Sequence, residues 1–458
     1  MADLNSIQNV YFLGIGGIGM SALARYFNVT GKQVGGYDRT PSDLTAELEK
    51  EGILVHFDDA PGSIPRAFRD KNNTLVVFTP AVPGDHKELT YFREHQFTVL
   101  KRSEILGLIT RQKKTVAVSG THGKTTVSTM IAHLMAKSDK GCNAFLGGIS
   151  RNFNSNLVLN PSSEWVIAEA DEFDRSFLRL FPQVAVVTAM DPDHLDIYGN
   201  TEELHAAFNS FVSQIHADGI LLMKKGVPIE KKNMPAHVYT YSLNDTSTDF
   251  HAGNIRLEKR KYFFDLIGPG IVIKDISLLH PGLVNVENAI AATAVAALLG
   301  MTPELIRMTM ETFEGIRRRF EYHVNTGNIV YIDDYAHHPR ELEATILSVR
   351  ELYPDKKITG VFQPHLYSRT RDFADGFAKS LSLLDQLVLL DIYPAREVPI
   401  EGVNAAMIYD KVEIKEKYLC SMDGLMDMLQ KLRVEVLITL GAGDIDKMVE
   451  PIKQHYAK

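Results

Sequence analysis

Cysteine is scarce in this sequence, with only Cys142 and Cys420 among 458 residues. A disulfide framework needs an even set of paired cysteines, so we predict none and expect a reducing compartment. The first twelve residues, MADLNSIQNVYF, lack both the basic start and the long apolar core of a signal peptide. The sequence therefore predicts a cytoplasmic protein.

Long apolar runs and an excess of positive charge are also absent. The longest apolar candidate, residues 289–299, is too short to cross a membrane and rich in alanine, so we predict a buried helix there. The formal net charge is -8, which gives no general attraction to nucleic acid or to anionic membranes. We expect no nucleic-acid partner and no membrane insertion. Phosphate groups must then be bound by local amides and a few cationic side chains.

Length and pattern favour a large α/β protein. At 458 residues, 45% of them hydrophobic, the chain is long enough for about three domains. Short β-branched runs alternate with helical segments, and polar clusters follow the runs, as at the carboxyl edge of a doubly wound sheet. We predict three consecutive domains: Rossmann-like over residues 1–110, P-loop with a mostly parallel sheet over 111–321, and Rossmann-like over 322–458. Residues 247–276 alternate apolar and polar side chains and predict an antiparallel insertion.

Residues 114–130 carry the most informative pattern: a β-branched strand, the loop SGTHGKTT and an apolar helix. Glycines let backbone N–H groups face a polyphosphate, and the helix N-terminus adds a partial positive charge. Lys124 is expected to reach the β- and γ-phosphates, and the Thr125 hydroxyl to bind Mg²⁺. Val118 stands where the usual pattern has its first glycine, so the loop is a shortened variant. A plain glycine turn is the alternative; we favour a nucleotide site for ATP.

A second glycine loop, GIGGIGMS at residues 14–21, follows a predicted strand and precedes a predicted helix. Gly14, Gly16 and Gly19 satisfy G-x-G-x-x-G, and Asp38 closes the next strand, where a dinucleotide fold has its acidic residue. Alone, the pattern specifies only a tight diphosphate loop. A uridine diphosphate fits the same amides as a dinucleotide.

Acidic clusters follow two further strands of the predicted second domain, EADEFD at residues 169–174 and DPDHLDIYG at 191–199. One carboxylate and one histidine at neighbouring strand ends could share Mg²⁺ with Thr125 and the phosphates. The alternative is that these carboxylates cap helices and face solvent.

Polar segments also follow the strands of the third domain: DDYAHHP at residues 333–339, FQPHLYSRTR at 362–371 and GAGD at 441–444. They lie where open α/β sheets bind ligands. Three successive arginines, residues 317–319, precede this domain. Such a run is most often a solvated face, and between two phosphate-binding domains it could instead grip phosphate.

Taken in order, these segments resemble the ATP-dependent Mur ligases of bacterial cell-wall synthesis. The resemblance rests on GIGGIGMSALA, SGTHGKTT, EADEFD, DPDHLDIYG, NVENAIAA, RRRFE, DDYAHHP, FQPHLYSRTR and GAGDI, which extend over essentially the whole chain in the family's order. Within the family, GIGGIGMS, DDYAHHP and FQPH with SRTR are most similar to the branch that adds L-alanine. The nearest alternative is the recycling branch, which attaches a whole tripeptide to the same nucleotide sugar.

The resemblance implies that ATP drives ligation of L-alanine to the lactyl carboxylate of UDP-N-acetylmuramate through an acyl phosphate. It implies ATP with Mg²⁺, or Mn²⁺ in its place, and we expect a monomer or weak homodimer. It implies catalytic roles for Lys124, His337 and Arg369, with His337 as a candidate base. The amino-acid site it implies contains Tyr335, His337 and Arg369, and the metal ligands are Thr125, Glu169 and His194.

The remaining implied contacts fall into two groups. Those to ATP come from Gly120, Thr121, His122, Gly123, Lys124, Thr125, Thr126, Asn285, Asn288, Arg319 and Asp334. Those to the UDP-sugar come from Gly14, Gly16, Gly17, Ile18, Gly19, Met20, Ser21 and Asp38.

Three positions depart from the family's pattern. Val284 stands where a histidine usually precedes the adenine-contacting asparagine, and Leu366 stands where an arginine is typical. Asn209 occupies the position at which later ligases of the pathway carry a carbamoylated lysine, so we predict no such group here. Two other classes stay open on the residues alone: a nicotinamide dehydrogenase, from the first glycine loop and Asp38, and a non-catalytic P-loop regulator.

Overall fold

Three β-sheets with helices packed on them form the described part of the chain. The structure is a computed structural model that describes residue 4 and residues 7–191, 198–395 and 397–457. Packing divides it into two compact units. The first comprises Met1–Asn254, Phe264–Ile276 and Asn288–Glu314, and the second Ile255–Phe263, Ser277–Glu287 and Gly315–Lys458. The predicted domain boundaries at residues 110 and 321 stay a prediction.

The first sheet has five strands: Asn9–Leu13 (β1), Gln33–Tyr37 (β2), Leu54–His56 (β3), Thr74–Phe78 (β4) and Thr98–Lys101 (β5). Their order is β3-β2-β1-β4-β5, and every neighbouring pair is parallel. The central strand β1 is buried on both faces, which is why it reads as a continuous apolar run rather than an alternating one. Its carboxyl end leads directly into the first glycine loop.

The second sheet has ten strands: Lys114–Ser119 (β6), Asn143–Ser150 (β7), Ser155–Val158 (β8), Trp165–Glu169 (β9), Val184–Val187 (β10), Ile220–Lys224 (β11), His237–Ser242 (β12), Phe250–Glu258 (β13), Lys261–Gly268 (β14) and Ile271–Leu278 (β15). Their order is β15-β14-β13-β12-β11-β10-β6-β9-β7-β8. Strand β6 lies between β10 and β9, both parallel to it, so the glycine loop that follows β6 opens between two further strand ends. Two-residue turns join β13, β14 and β15, as the predicted antiparallel insertion requires.

The third sheet has six strands: Glu321–Asn325 (β16), Val330–Asp334 (β17), Ile358–Phe362 (β18), Gln386–Leu390 (β19), Glu416–Cys420 (β20) and Val436–Leu440 (β21). Their order is β16-β17-β21-β18-β19-β20, parallel except for the antiparallel edge strand β16. The polar segments predicted from sequence follow β17, β18 and β21, three neighbours in this sheet.

Helices cover both faces of these sheets. Their bounds are Ile18–Val29, Asp43–Lys50, Lys87–Glu94, Arg102–Thr110, Lys124–Lys137, Thr201–Val212, Leu283–Leu298, Pro303–Glu311, Pro339–Leu352, Tyr367–Leu381, Ala406–Tyr409, Leu425–Lys431 and Val449–Tyr456, with 3₁₀ turns at Pro61–Ser63, Arg66–Arg69, Phe173–Arg179, Lys231–Asn233 and Asp444–Met448. Within the described residues, none of these helices is long and apolar enough to cross a membrane. The alanine-rich run at residues 289–299 lies largely in the buried part of helix Leu283–Leu298, as expected.

Within the first unit, the first two sheets share one hydrophobic cluster. Helix Ile18–Val29 packs on the β7–β8 hairpin, where the rings of Tyr26 and Phe145 lie 5.4 Å apart. Asn156 of β8 accepts a hydrogen bond from Arg25 at 2.7 Å and donates one to Ser21 at 2.9 Å. These buried polar bonds fix the helix that follows the first glycine loop to the sheet that carries the second.

Candidate nucleotide-binding site

The loop between β6 and helix Lys124–Lys137 has the backbone that its glycines predict. Gly120 and Gly123 both have positive φ, 130° and 79°. A Cβ at Gly120 would lie 2.2 Å from the Thr188 hydroxyl, and one at Gly123 would lie 2.7 Å from Oδ1 of Asn288. Only glycine fits at either position. The second contact places Asn288, one of the predicted ATP contacts, against the loop.

Residues that follow β10 hold this loop, and the sequence analysis did not identify one of them, Thr188. The Thr188 hydroxyl donates to the carbonyls of Ser119, at 3.1 Å, and of His122. The backbone N–H of Asp191 donates to the Thr121 hydroxyl at 3.0 Å, and the Asp191 carboxylate lies 3.4 Å from Nε2 of His122. His122 and Thr121 are thus fixed from a neighbouring strand, and the Thr121 N–H also donates to the Ala189 carbonyl at 3.1 Å.

Lys124 lies buried at the start of its helix and is fixed at its tip. Its Nζ donates to the Gly120 carbonyl at 2.8 Å and lies 2.9 and 2.8 Å from the two carboxylate oxygens of Glu172. Burial alone would lower the pKa of Lys124, but the carboxylates of Glu172, Asp171 and Glu169 raise it above its ordinary value. The ammonium therefore stays charged at neutral pH, as a phosphate-binding lysine must. No local pattern distinguishes Glu172 from the other acidic residues of its cluster.

The predicted metal ligands are only partly described. Thr125 is buried in the first turn of its helix, and Glu169 ends β9 opposite Val118 of β6. A Cβ at Gly147 would lie 2.0 Å from Oε2 of Glu169, so that glycine leaves room for the carboxylate. His194 lies outside the described residues. Among the residues that are described, no group of three or more His, Cys, Asp and Glu side chains could hold a metal.

The donor set nevertheless suits Mg²⁺. A threonine hydroxyl and a carboxylate are hard oxygen ligands, and Mg²⁺ at nucleotide sites takes one or two protein oxygens and completes its shell with phosphates and water. Thr125 and Glu169 therefore fit the ion as a pair, without a cage of protein ligands.

The first glycine loop turns back on the end of β2. The N–H groups of Gly14 and Ile15 donate to the Tyr37 carbonyl at 2.8 and 3.0 Å, and the N–H of Gly16 donates to Oδ2 of Asp38 at 2.7 Å. Gly14 has a φ of 83°. Asp38 thus fixes the loop itself, a second use of the acidic residue that the sequence pattern predicts.

Helix Ile18–Val29 begins at this loop, with Gly17 as its N-cap. Ile18 and Gly19 lie in its first turn, whereas Met20 and Ser21 are buried, and the Ser21 hydroxyl donates to the Ile18 carbonyl at 3.0 Å. The N-terminus supplies amides and a partial positive charge for a diphosphate.

Arg102 is a cation at this loop that sequence reasoning missed. A Cβ at Gly19 would lie 2.5 Å from its Nη1, so the guanidinium lies directly on the first turn of helix Ile18–Val29. Its Nη2 lies 3.9 Å from the Asp171 carboxylate, next to Glu172. Arg102 therefore connects the surroundings of the two glycine loops within the first unit.

In the second unit, Asp334 ends β17 as a buried carboxylate. It accepts hydrogen bonds from the N–H groups of Phe320, at 2.7 Å, and Ala336, at 2.8 Å. Burial raises the pKa of Asp334 to about 6, although the nearby Arg319 and these two bonds lower it. The carboxylate therefore fixes the backbone at Phe320, next to the predicted ATP contact Arg319, and at Ala336.

The next turn brings together the predicted amino-acid site. Nδ1 of His337 lies 3.0 Å from the Tyr335 carbonyl, and the rings of these two residues are 5.3 Å apart. Burial lowers the pKa of His337 to about 4; the charges of Arg369 and Arg319 also lower it, and Glu341 opposes them. The imidazole is therefore neutral at neutral pH, and one of its two ring nitrogens carries no proton.

Cations surround this histidine. The guanidinium groups of Arg318 and Arg319 lie 5.3 and 4.9 Å from the centre of the Tyr335 ring, and Arg369 is buried at the start of helix Tyr367–Leu381. Such a setting favours an anionic ligand. His365, whose ring lies 6.2 Å from that of His337, is a further side chain here that the predicted residue set omits.

The three departures from the family's pattern have distinct settings. Leu366 has a φ of 69° at the N-cap of helix Tyr367–Leu381, and its N–H donates to the Tyr393 carbonyl at 2.9 Å. Val284 is half exposed in the first turn of helix Leu283–Leu298, where Asn285 donates to the Pro281 carbonyl at 2.7 Å. The side-chain oxygen of Asn209 accepts a hydrogen bond from the Glu230 N–H at 2.8 Å.

Family comparisons account for nearly the whole chain. Three family models match in order: "Mur ligase family, catalytic domain" over residues 9–114, "Mur ligase middle domain" over 118–296 and "Mur ligase, glutamate ligase domain" over 318–444. The chain belongs to the Mur ligase family. The predicted α/β fold of three consecutive Mur ligase domains is thereby confirmed.

Individual relatives agree with this membership. A curated UDP-N-acetylmuramate–L-alanine ligase of Parabacteroides distasonis is 54% identical over 457 residues, covering 100% of this chain and 99% of that protein. The crystal structure of the UDP-N-acetylmuramate–alanine ligase of Thermotoga maritima matches with a TM-score of 0.83 and 27% identity, covering 98% of this chain and 99% of that one. A murein peptide ligase structure from Psychrobacter arcticus matches with a TM-score of 0.70, 20% identity and 98% coverage of both chains, a likeness of fold alone.

Proposed function

We propose that this Mur ligase joins L-alanine to the lactyl carboxylate of UDP-N-acetylmuramate at the expense of ATP, in the synthesis of peptidoglycan precursors. The observation that carries the proposal is the 54% identity, over essentially the full length of both chains, to a relative that bears this name. The structure of the Thermotoga maritima ligase supports it independently, with a likeness that also extends over both whole chains.

The first half of the reaction is phosphoryl transfer. An oxygen of the lactyl carboxylate attacks the γ-phosphorus of ATP, the bond to the bridging oxygen breaks, and ADP leaves. Lys124 neutralises charge on the transferred group, and the loop amides hold the remaining phosphate oxygens. Little covalent work falls to the protein, so positioning and charge stabilisation carry the step.

The second half is acyl transfer to the amine. The alanine nitrogen attacks the acyl carbon, a tetrahedral intermediate forms, and inorganic phosphate leaves as the amide carbonyl reforms. The amine must lose a proton on the way, and we assign this proton to the neutral imidazole of His337. Arg369 and Arg319 supply positive charge for the anionic groups near it.

Mg²⁺ is part of the proposal. Thr125 and Glu169 hold the ion, with His194 as the predicted ligand of a second one. Bound there, a divalent cation offsets the charge of the phosphates.

The sugar nucleotide is assigned to the first glycine loop. The amides of the first turn of helix Ile18–Val29 and the guanidinium of Arg102 form a diphosphate-binding set, supported by the contact of Arg102 with Gly19. Asp38 maintains the shape of the loop by accepting the hydrogen bond from the Gly16 N–H.

The deciding experiment measures phosphate release from ATP with Mg²⁺ and UDP-N-acetylmuramate, with and without L-alanine, and determines the product mass. Alanine-dependent release with a product heavier by one alanyl residue is expected. Release that depends on the tripeptide L-Ala-γ-D-Glu-diaminopimelate instead would identify the recycling branch. If neither L-alanine nor the tripeptide causes phosphate release, a non-catalytic P-loop protein remains. Binding of NADH in place of a UDP-sugar would favour a dehydrogenase.

A further inference from the structure

Glu172 is a fully buried carboxylate beside the phosphate-binding lysine, and the proposed mechanism gives it no task. Its two oxygens lie 2.9 and 2.8 Å from Nζ of Lys124, which also donates to the Gly120 carbonyl. An ammonium has three N–H groups and accepts nothing. Two of these contacts are hydrogen bonds, to the Gly120 carbonyl and to Oε1 of Glu172, and together they fix the direction of the ammonium. The third N–H group is then left for a phosphate oxygen.

Glu172 is itself held in place from outside the glycine loop. The hydroxyl of Tyr198 donates to its backbone carbonyl at 2.6 Å, and the guanidinium of Arg175 lies 5.4 Å from the Tyr198 ring centre. The 3₁₀ turn Phe173–Arg179 begins at the next residue. The backbone that carries this carboxylate is therefore fixed by contacts of its own.

Stability alone does not explain this pair. Removing two charges from water costs free energy that their attraction often fails to recover, so a buried ion pair is a poor way to stabilise a fold. A fixed lysine has a clear use in phosphoryl transfer, because a displacement of about 1 Å can cost about 100-fold in rate.

We propose that Glu172 is a positioning residue for phosphoryl transfer, whose carboxylate holds the Lys124 ammonium in the direction required by the transferred phosphate. The inference rests on the proposed function. It differs from two other roles for this carboxylate. If Glu172 were a metal ligand, it would determine the Mg²⁺ concentration that the reaction needs. If it competed with the phosphates for Lys124, it would weaken ATP binding in the unaltered enzyme.

The test compares Glu172→Gln with the unaltered protein in the full ligation assay and in a direct titration of ATP binding by calorimetry. We expect kcat to fall by at least about tenfold while the Kd for ATP changes less than about threefold, since orientation is needed in the transition state more than for binding. The Mg²⁺ concentration for half-maximal rate stays unchanged. Glu172→Asp, which keeps the charge on a shorter chain, recovers part of the rate.

A double-mutant cycle separates action through Lys124 from action elsewhere. In a Lys124→Ala background, Glu172→Gln should lower kcat by less than about twofold further, because residues that act as a unit are not additive. The matched control is Glu202→Gln, the same chemical change at an exposed site in the first turn of helix Thr201–Val212. It should leave kcat and the Kd unchanged.

Several results would overturn the proposal. They are an unchanged kcat in Glu172→Gln, full additivity with Lys124→Ala, a tenfold shift in the Mg²⁺ requirement, or tighter ATP binding at an undiminished rate. If Glu172→Gln does not fold, as thermal melting would reveal, Tyr198→Phe replaces it. This variant should lower kcat several-fold at constant ATP affinity, and an unchanged kcat counts against the proposal. An unaltered protein without alanine-dependent turnover would reject the proposed function itself, and the inference with it.

Discussion

At the scale of single residues, we expect the proposed phosphoryl step to depend most on Lys124. Its ammonium is buried, charged and fixed by Gly120 and Glu172. Replacing it by alanine removes the charge that meets the transferred phosphate, and we expect kcat to fall about 10³-fold, as for other fixed charge-stabilising groups. The measurement is alanine-dependent phosphate release.

Lys137→Ala is the matched control for this prediction. Lys137 lies in the last turn of the same helix, so its removal perturbs the same element without touching the loop. Its rate should stay within about twofold of the unaltered protein. A Lys124→Ala variant that keeps more than about a tenth of its activity would contradict the phosphate-site assignment.

His337 gives a residue-scale prediction about pH. Its folded pKa is about 4, below its ordinary value of 6.5. Between these pH values His337 is protonated in the unfolded chain but neutral in the folded one. Its contribution to the free energy of unfolding therefore decreases as the pH falls through that window. In histidine-selective NMR titrations, the resonance that disappears in His337→Gln should titrate well below pH 6. A midpoint near 6.5 would contradict the burial of this ring.

At the scale of elements, Glu88 ties helix Lys87–Glu94 to the first sheet. It is fully buried, accepts a hydrogen bond from the Tyr11 hydroxyl of β1 at 2.8 Å, and lies 3.4 Å from Nε2 of His56 on β3. Burial, together with the charge of Asp59, raises the pKa of Glu88 from 4.5 to about 8, although the Tyr11 bond opposes this. The folded state therefore retains a proton between these values that the unfolded chain has lost.

The consequence is a pH-dependent loss of stability. Glu88 stabilises the fold fully below pH 4.5, and that contribution is lost as pH rises towards 8. Glu88→Gln cannot ionise, so its Tm relative to the unaltered protein should rise by several degrees between pH 5 and pH 8. Glu94→Gln, an exposed position at the end of the same helix, should show no such trend. Equal Tm differences at both pH values would contradict the buried, protonated carboxylate.

Elements and loops were predictable where the pattern is local. Glycine spacing and the flanking apolar runs indicated both phosphate loops, because positive φ and close packing leave glycine alone at Gly120 and Gly123. The side chains that hold those loops come from far along the chain: Glu172 is 48 residues from Lys124, and Thr188 is 66 from His122. No periodicity indicates such a partner. Likewise, a sequence shows that His337 follows a strand, but only packing shows that the ring is buried.

At the scale of the whole molecule, the chemistry divides between the two units. The predicted ATP loop and Lys124 belong to the first unit, whereas His337 and Arg369 belong to the second. An acyl phosphate made beside Lys124 must meet the alanine amine before water reaches it. We therefore predict that binding of all the substrates is accompanied by a conformational change that excludes water from the proposed intermediate.

Small-angle scattering tests this prediction. We expect the radius of gyration to decrease when UDP-N-acetylmuramate, a non-hydrolysable ATP analogue with Mg²⁺ and L-alanine are all present. UDP-N-acetylmuramate alone should change it less, because the first glycine loop lies wholly within the first unit. Closure excludes water from a reactive intermediate, so a variant that binds every substrate but fails to close should release phosphate without forming amide. Identical scattering curves for the free and fully ligated protein would mean that the catalytic groups are already assembled before the substrates bind.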